Sequence, residues 1–303
     1  MLNCTACVDV IATPIIVICT EKFALNYRHS YHAGGSADVF KHYVLTLMLE
    51  ALQQKPAPFC VMDSHAGAGA YLLTLPGDYE QGIGMLWPEK EKWPALSGYL
   101  AIIQGFNGEQ LRHYPGSPCI IRAYLRAQDR AQLIELHPQD YRALKSSLSD
   151  AKGIAVHHGD ARHLLKAFVP PKENRGLVLI DPPYEQADDF AQVVSLLKYC
   201  AKHWRNGSYM IWYPVKTRQP IRELHEAVTQ LGLQAHAVEF TTLPTDVEQR
   251  LNGSGLILVN SPWKLLDTLR KTLPPLAEFL AGEQGKGQVR FIDLTTQTVA
   301  AGN

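Results

Sequence analysis

Gly176-Leu-Val-Leu-Ile-Asp-Pro-Pro-Tyr184 is the stretch of sequence that decides the fold. Its apolar first half is typical of a buried β-strand. The two prolines end regular structure, because proline fixes its own φ and disfavours a helical conformation in the residue before it. Asp181 is therefore predicted to stand at the carboxyl end of a strand, which is where open α/β sheets bind their ligands.

The sequence on either side of this stretch alternates between strand and helix patterns. Strands are predicted at residues 59–63, 131–136, 154–157, 176–181, 208–214, 234–242, 255–260 and 288–294. Helices are predicted at residues 36–54, 138–149, 161–168, 187–203, 218–231 and 264–281. This alternation predicts an α/β fold with a mostly parallel sheet that helices cover on both faces. Residues 71–116 interrupt it with glycine, proline and two tryptophans, and are predicted to form a small helical insertion.

Composition excludes several classes of protein. The 303 residues are 46% hydrophobic and 19% charged, which is too apolar for a disordered chain. The 29 basic and 29 acidic side chains cancel, so the charge gives no general argument for a nucleic-acid partner. Six scattered cysteines form no disulfide framework in a chain of this length and favour a reducing compartment, the cytoplasm.

Residues 8–19 form an apolar run near the start of the chain. The run contains Asp9 and Pro14, lacks the basic start of a secretion signal, and is shorter than the roughly 20 residues that cross a bilayer. Residues 1–24 are therefore expected to be an appended or poorly ordered leader, and no membrane partner is expected.

Acids follow four of the predicted strands. They are Asp63 before Gly67-x-Gly69, then Glu135, Asp160 before Ala161, and Asp181. Each acid alone could simply cap a helix, and a glycine pair alone is more often structural than ligand-binding. Together they indicate a site for an adenosine-bearing cofactor, because an acid such as Glu135 can accept both ribose hydroxyls and Asp160 can accept the adenine amine. A nicotinamide fingerprint is not present, since Leu72 stands where its third glycine would be.

Asp181-Pro182-Pro183-Tyr184 predicts the chemistry. A base amine is a poor nucleophile because its lone pair is delocalised into the ring. Two rigid acceptors, the Asp181 carboxylate and the Pro182 carbonyl, would draw the amine toward tetrahedral geometry and free the lone pair for attack on a methyl group. Tyr184 offers a ring on which a base taken out of its stack can lie.

These motifs resemble those of the RlmJ family of large-subunit ribosomal RNA adenine-N6 methyltransferases, over residues 25 to about 295. The segments that carry the resemblance are Tyr27-Arg-His-Ser-Tyr-His-Ala-Gly34, Ala37-Asp-Val-Phe-Lys-His42, Asp63-Ser-His-Ala-Gly-Ala-Gly69, Tyr114-Pro-Gly-Ser-Pro118, Glu135-Leu-His-Pro138, Leu179-Ile-Asp-Pro-Pro-Tyr184, Trp212-Tyr-Pro-Val215 and Pro262-Trp-Lys264. The resemblance implies a Rossmann-like class I methyltransferase domain over residues 25–303, with a mostly parallel seven-stranded sheet and a helical subdomain in the 71–116 region.

The resemblance also implies roles for individual residues. Asp181 would be the catalytic acceptor. S-adenosylmethionine would be bound by residues that match family positions, namely His42, His65, Gly67, Ser117, Glu135, Asp160 and Ala161. The ribosomal RNA substrate would be contacted by Tyr27, His29, Lys41 and Tyr184. A cytoplasmic monomer without an obligate protein partner is expected.

Other readings remain open on the residues alone. Guanine N2 and cytosine N4 enzymes use closely similar four-residue motifs, and DNA adenine is another alternative target, so the assignment to adenine of ribosomal RNA rests on the resemblance. A DNA-binding or DNA-processing protein involved in the use of external DNA is a further alternative. Zinc binding by the histidines at 29, 32, 42 and 65 is disfavoured, because no carboxylate or cysteine stands at ligand spacing to them, and no metal is expected.

Overall fold

The computed structural model describes residues 29–74, 76–186, 188–243, 251–283 and 285–295. The expected leader, residues 1–24, and Tyr27 lie outside these ranges. Within them, no helix is both long and apolar enough to cross a membrane.

The strands build one large sheet and one small hairpin. In chain order they are β1 (Cys60–Asp63), β2 (Ala70–Leu72), β3 (His113–Pro115), β4 (Arg130–Glu135), β5 (Ile154–His158), β6 (Gly176–Ile180), β7 (Ser208–Val215), β8 (Ala235–Thr241), β9 (Gly253–Val259) and β10 (Gln288–Asp293). The large sheet has the order β10-β8-β9-β7-β6-β1-β4-β5, while β2 and β3 pair with each other. Strands β5, β4, β1, β6 and β7 run parallel, and β9, β8 and β10 are joined by antiparallel pairings. The mostly parallel α/β sheet is therefore as predicted.

The sheet has eight strands, not the seven that the resemblance implied. The additional strand is β10, which pairs antiparallel with β8 along its whole length. Val289 and Phe291 of β10 pack against the hydrophobic core, and this burial stabilises the strand at the edge of the sheet.

Helices cover both faces of the sheet. They are α1 (His29–His32), α2 (Ser36–Gln53), α3 (Ile83–Leu86), α4 (Ser97–Asn107), α5 (Ser117–Tyr124), α6 (Pro138–Ser147), α7 (Ala161–Phe168), α8 (Asp189–His203), α9 (Arg218–Thr229) and α10 (Leu265–Ala281). Two hydrophobic cores result: α2, α4, α5 and α10 contribute to one, and α7, α8 and α9 contribute to the other. Alternate residues of β6 enter each core, Leu177 and Leu179 one and Val178 and Ile180 the other, which is why this strand is apolar throughout.

Helix α2 is buried over most of its surface, and this determines where its polar residues lie. Phe40 stacks on Phe240 of β8 with ring centroids 5.0 Å apart. The same helix carries Asp38 and Lys41 into the interior, where they are 3% and 4% exposed. A buried lysine needs nearby negative charge, so α2 must face acids.

Residues 70–115 connect β1 to the rest of the sheet through the hairpin β2–β3, helices α3 and α4, and three short 3-10 segments. Ile83, Leu86, Tyr99 and Ile103 of this region are buried in the same core as α2. Trp87 is also buried and donates from its indole nitrogen to the carbonyl of Glu109, as expected for a packing residue. The region is thus packed onto the domain through apolar contacts.

Gly176 permits the close pairing of β6 with β1. A Cβ atom at this position would lie 1.8 Å from the backbone carbonyl oxygen of Cys60. We expect Gly176→Ala to lower the free energy of unfolding by about 3 kcal/mol, because the two strands would have to separate. Urea denaturation followed by circular dichroism measures this change.

Gly232→Ala is the matched control. Gly232 also has a positive φ of +61°, but a Cβ atom there would meet nothing within 4 Å. Its cost should be only the local conformational one, about 1 kcal/mol. Equal losses in the two variants would contradict the steric explanation.

Candidate active site

The strand-end acids meet at one edge of the large sheet. Strand β1 lies between β4 and β6, so the strand order reverses there and opens a crevice at the carboxyl ends. Asp63 ends β1, Glu135 ends β4, and Asp181 follows β6 directly. These three acids of the predicted series therefore lie on neighbouring strands.

Asp181 forms an ion pair with Lys41 of α2. The Lys41 Nζ lies 2.6 Å from Oδ2 of Asp181 and 2.8 Å from Oδ1 of Asp38. Burial lowers the pKa of Lys41, but the two carboxylates outweigh burial and raise the pKa well above its usual range. Lys41 therefore stays charged, and it is buried against Asp181 with 4% of its surface exposed.

The other carboxylate oxygen of Asp181, Oδ1, makes no hydrogen bond within the described part of the chain. The Asp181 side chain is 16% exposed, so the oxygen sits in a largely desolvated place. One oxygen is thus fixed by Lys41, and the other remains to accept a hydrogen bond.

Tyr184 adopts a left-handed backbone conformation with φ of 52° at the end of the Asp-Pro-Pro-Tyr turn. Its hydroxyl donates to the carbonyl of Trp212 at 2.8 Å, and its ring packs against Phe190 and Trp212. Burial raises the pKa of Tyr184 well above its usual range, so it stays neutral. The half-buried ring is fixed in place beside Asp181, where it was predicted to support a base.

Glu135 organises the glycine-bearing loop. Its carboxylate accepts from the amide of Gly67 at 2.7 Å and from the amide of His137 at 2.6 Å. Burial raises the pKa of Glu135, although these two amides act to lower it. The loop needs glycine here, because Gly67 has φ of +64° and a Cβ atom would lie 2.2 Å from the Tyr71 hydroxyl.

The loop after β1 also carries polar contacts, which involve Asp63, Ser117 and His65. The Ser117 hydroxyl donates to Oδ2 of Asp63 at 2.6 Å, and burial raises the pKa of Asp63 to about 7. His65 is hydrogen-bonded through Nδ1 to the Ser64 hydroxyl at 2.7 Å. Burial lowers the pKa of His65 in spite of the nearby carboxylates of Asp181 and Asp160, so it is neutral at pH 7.

Asp160 caps a helix, which is one of the two roles considered for it. It is the N-cap of α7 and accepts from the amide of Arg162 at 2.8 Å. The Arg162 guanidinium also binds this carboxylate and lowers its pKa. Ala161 is the buried first residue of the helix, whose opening amides face outward from its N-terminus.

Of the remaining predicted residues, one is fully buried and one is only partly described. His42 is 1% exposed, and its Nδ1 is 2.8 Å from the hydroxyl of Tyr114, on which its ring stacks. His29 begins α1, and only its backbone position is described. Within the described ranges, no three histidine, cysteine, aspartate or glutamate side chains come together to hold a metal ion.

The structure adds one acid that the sequence analysis did not include, and it gives a partner to another. Asp38 is the second partner of Lys41, and its spacing of three residues on one helix is a signal the sequence did contain. Asp63 was identified as a strand-end acid, but its bond to Ser117 joins segments 54 positions apart, which no local pattern reveals.

The crevice suits an adenosine-bearing cofactor. It combines a backbone loop that a side chain at Gly67 would fill, an acid at Glu135, and an exposed apolar side chain, Leu136, which is 61% exposed directly after that acid. Carboxylate oxygens match hydroxyl donors, and an apolar side chain matches the face of a base ring.

Known proteins share this sequence and fold. A family model described as "Ribosomal RNA large subunit methyltransferase D, RlmJ" matches residues 56–293. The chain is 40% identical to "Ribosomal RNA large subunit methyltransferase J" of Haemophilus influenzae, over 86% of this chain and 95% of that protein. It is 41% identical to the protein of the same name from Escherichia coli, over 82% of this chain and 92% of that one.

A crystal structure of a Legionella pneumophila protein is 30% identical, with a TM-score of 0.81, and covers 86% of this chain and 98% of that chain. Both the sequence matches and this structural match extend over the large sheet and the crevice. The chain therefore belongs to the RlmJ family of ribosomal RNA large-subunit methyltransferases.

Proposed function

We propose that this protein transfers a methyl group from S-adenosylmethionine to N6 of an unstacked adenine in large-subunit (23S) ribosomal RNA. The observation that carries the proposal is the Asp181 carboxylate, fixed by Lys41 through one oxygen and open through the other, at the strand end beside the Glu135 loop. Family membership supports the ribosomal RNA substrate.

S-adenosylmethionine, when bound, supplies a methyl group activated by a positively charged sulfur. Glu135 would accept hydrogen bonds from the ribose hydroxyls, and the backbone of the Gly67 loop would lie against the cofactor. Asp63, with Ser117, adds an acceptor at the end of β1. Ala161 begins α7, and the backbone amides at this N-terminus would be hydrogen-bond donors to the cofactor. The roles of His42 and His65 in binding remain part of the same proposal.

Asp181 acts on the amine of the adenine. Its Oδ1 accepts a hydrogen bond from N6, and the Pro182 carbonyl is the second acceptor, which together favour the tetrahedral geometry that the nitrogen needs for attack. Forming the new N–C bond breaks the C–S bond and releases one N6 proton, for which Asp181 is an acceptor. Tyr184, held by Trp212, supports the face of the base.

The proposal also covers the cellular compartment, the oligomeric state and the segment that faces the substrate. Cys60, Cys119 and Cys200 are free thiols, which fits a reducing compartment, and we propose that the protein acts in the cytoplasm as a monomer. Tyr27, His29 and Lys41 form the opening segment that we assign to the substrate side, with Lys41 acting through Asp181.

The direct test is incubation of the protein with S-adenosylmethionine and unmodified large-subunit ribosomal RNA, followed by nucleoside mass spectrometry. N6-methyladenosine in RNA is the expected product. Methylated guanine or cytosine, or methylation of DNA oligonucleotides in preference to RNA, would contradict the proposal.

Asp181→Ala should reduce the methylation rate by about a thousandfold or more, because the amine loses its fixed acceptor. Affinity for S-adenosylmethionine should change little, and calorimetry of cofactor binding checks this. Asp188→Ala, which alters an exposed acid of the same loop, is the control and should keep the wild-type rate.

Glu135→Ala should weaken binding of S-adenosylmethionine by about tenfold to a hundredfold, since hydrogen bonds to a charged group are lost and the Gly67 loop is released. At saturating cofactor the methylation rate should recover in part. The exposed Asp140→Ala is the control on the neighbouring helix. Unchanged cofactor affinity in Glu135→Ala would remove this residue from the proposed site.

RNA binding should depend only weakly on salt. The chain is neutral overall, and residues 71–116 hold five acidic and three basic side chains, a formal charge of −2. Few phosphate contacts are then expected, with a slope of log affinity against log salt no steeper than about −3. Filter-binding titrations at several salt concentrations measure the slope, and a steep one would indicate a basic patch.

A further inference from the structure

Asp38 is a buried acid that the proposed chemistry does not use directly. It is 3% exposed and lies in the first turn of α2. One oxygen, Oδ1, is 2.8 Å from the Lys41 ammonium, and the other, Oδ2, accepts from the amide of Gly34 at 3.1 Å. Each carboxylate oxygen therefore has an identified partner, and the Asp38 side chain is fixed in orientation.

The residues before α2 are themselves fixed by the region between β1 and β4. The carbonyl of Gly34 accepts from the amide of Ile83 at 2.8 Å. His32 is 2.7 Å from Oδ2 of Asp78. A side chain at Gly34 would lie 2.8 Å from Ile83, so the two segments are in close contact. Gly34, whose amide binds Asp38, is thus held in place by residues outside α2.

The Lys41 ammonium is surrounded by groups from several elements. Asp38 lies on its own helix, Asp181 follows β6, Asp63 ends β1, and Tyr99 lies on α4. Within the described ranges, Asp38 and Asp181 are the two acids that form ion pairs with the ammonium, and the ring of Trp212 lies 6.0 Å from it. A single carboxylate would have to serve both as partner of a buried cation and as acceptor for the substrate, whereas two carboxylates divide these tasks.

We propose that Asp38 is a positioning residue for methyl transfer, which holds the Lys41 ammonium in the place where it fixes Asp181. Asp38 itself does not touch the substrate. The inference rests on the proposed function, because it assigns Asp181 to the reaction. We further infer that the contact between Gly34 and Ile83 keeps the Asp38 carboxylate at the position from which it holds Lys41.

The test is the pH dependence of methylation in Asp38→Asn. The amide keeps the shape and the acceptor for Gly34 but removes the charge. Without it, burial should bring the pKa of Lys41 down, so the rate should fall by about tenfold between pH 7.5 and 9.5, where the wild-type rate stays level. At pH 7.5 the rate should already be about tenfold to a hundredfold below wild type, with cofactor affinity unchanged.

Asp129→Asn is a closely matched control. Asp129 is also buried, also pairs with a cation three positions away, Arg126, and also accepts a backbone amide, that of Phe59, but it lies before β4 at the opposite edge of the sheet. It should lose thermal stability without gaining an alkaline fall in rate. If Asp38→Asn kept a level profile, or if both variants showed the same fall, Asp38 would have no positioning role.

A measurement on the wild-type protein keeps the inference testable if Asp38→Asn does not fold. The Lys41 13Cε resonance should show no titration up to pH 11, although an ordinary lysine titrates near 10.4. Titration of Lys41 at the ordinary value would overturn the inference. Failure of the wild-type protein to methylate RNA would instead count against the proposed function, and the titration of Lys41 would still decide whether the two acids hold it.

Discussion

The active site depends on one buried cation. Lys41 lies in the interior between Asp38 and Asp181, and a buried ammonium is tolerable only with such partners. The ion pair between Lys41 and Asp181 joins helix α2 to the strand end that carries Asp-Pro-Pro-Tyr. The orientation of the Asp181 carboxylate therefore depends on how α2 packs. Because Lys41 occupies one oxygen of Asp181, the carboxylate keeps a single orientation and offers its other oxygen outward.

On the cofactor side of the crevice, a side-chain carboxylate fixes the backbone of the loop. Glu135 accepts from two amides, and this fixes a turn in which the positive φ of Gly67 and the nearby Tyr71 hydroxyl favour glycine. The protein thus uses buried acids in two ways. Asp181 forms an ion pair with a cation, whereas Asp63 accepts from the hydroxyl of Ser117, and burial raises the pKa of Asp63 to about 7.

Several individual residues show where sequence reasoning succeeded and where it stopped. The acids at Asp63, Glu135 and Asp181 were predicted to share a site, because strand ends of a parallel sheet meet at one edge. Lys41 was assigned to the RNA, and the structure places it in the interior beside Asp181. The sequence does not reveal this burial, because the face of α2 that meets Asp181 is set by a contact between residues 140 positions apart. Asp160 caps its helix, which is one of the two roles that the sequence left open for it.

The sequence by itself determined the α/β class, the Asp-Pro-Pro-Tyr turn at the strand end and the family, because these depend on local patterns: alternating strand and helix periods, two prolines after an acid, and motifs matched along the chain. Only the tertiary structure decided the antiparallel pairing of β10 with β8, the Lys41 ion pairs and the bond from Ser117 to Asp63. Each of these joins segments far apart in the chain, and the energy of a buried charge or an edge strand depends on neighbours that local sequence does not specify.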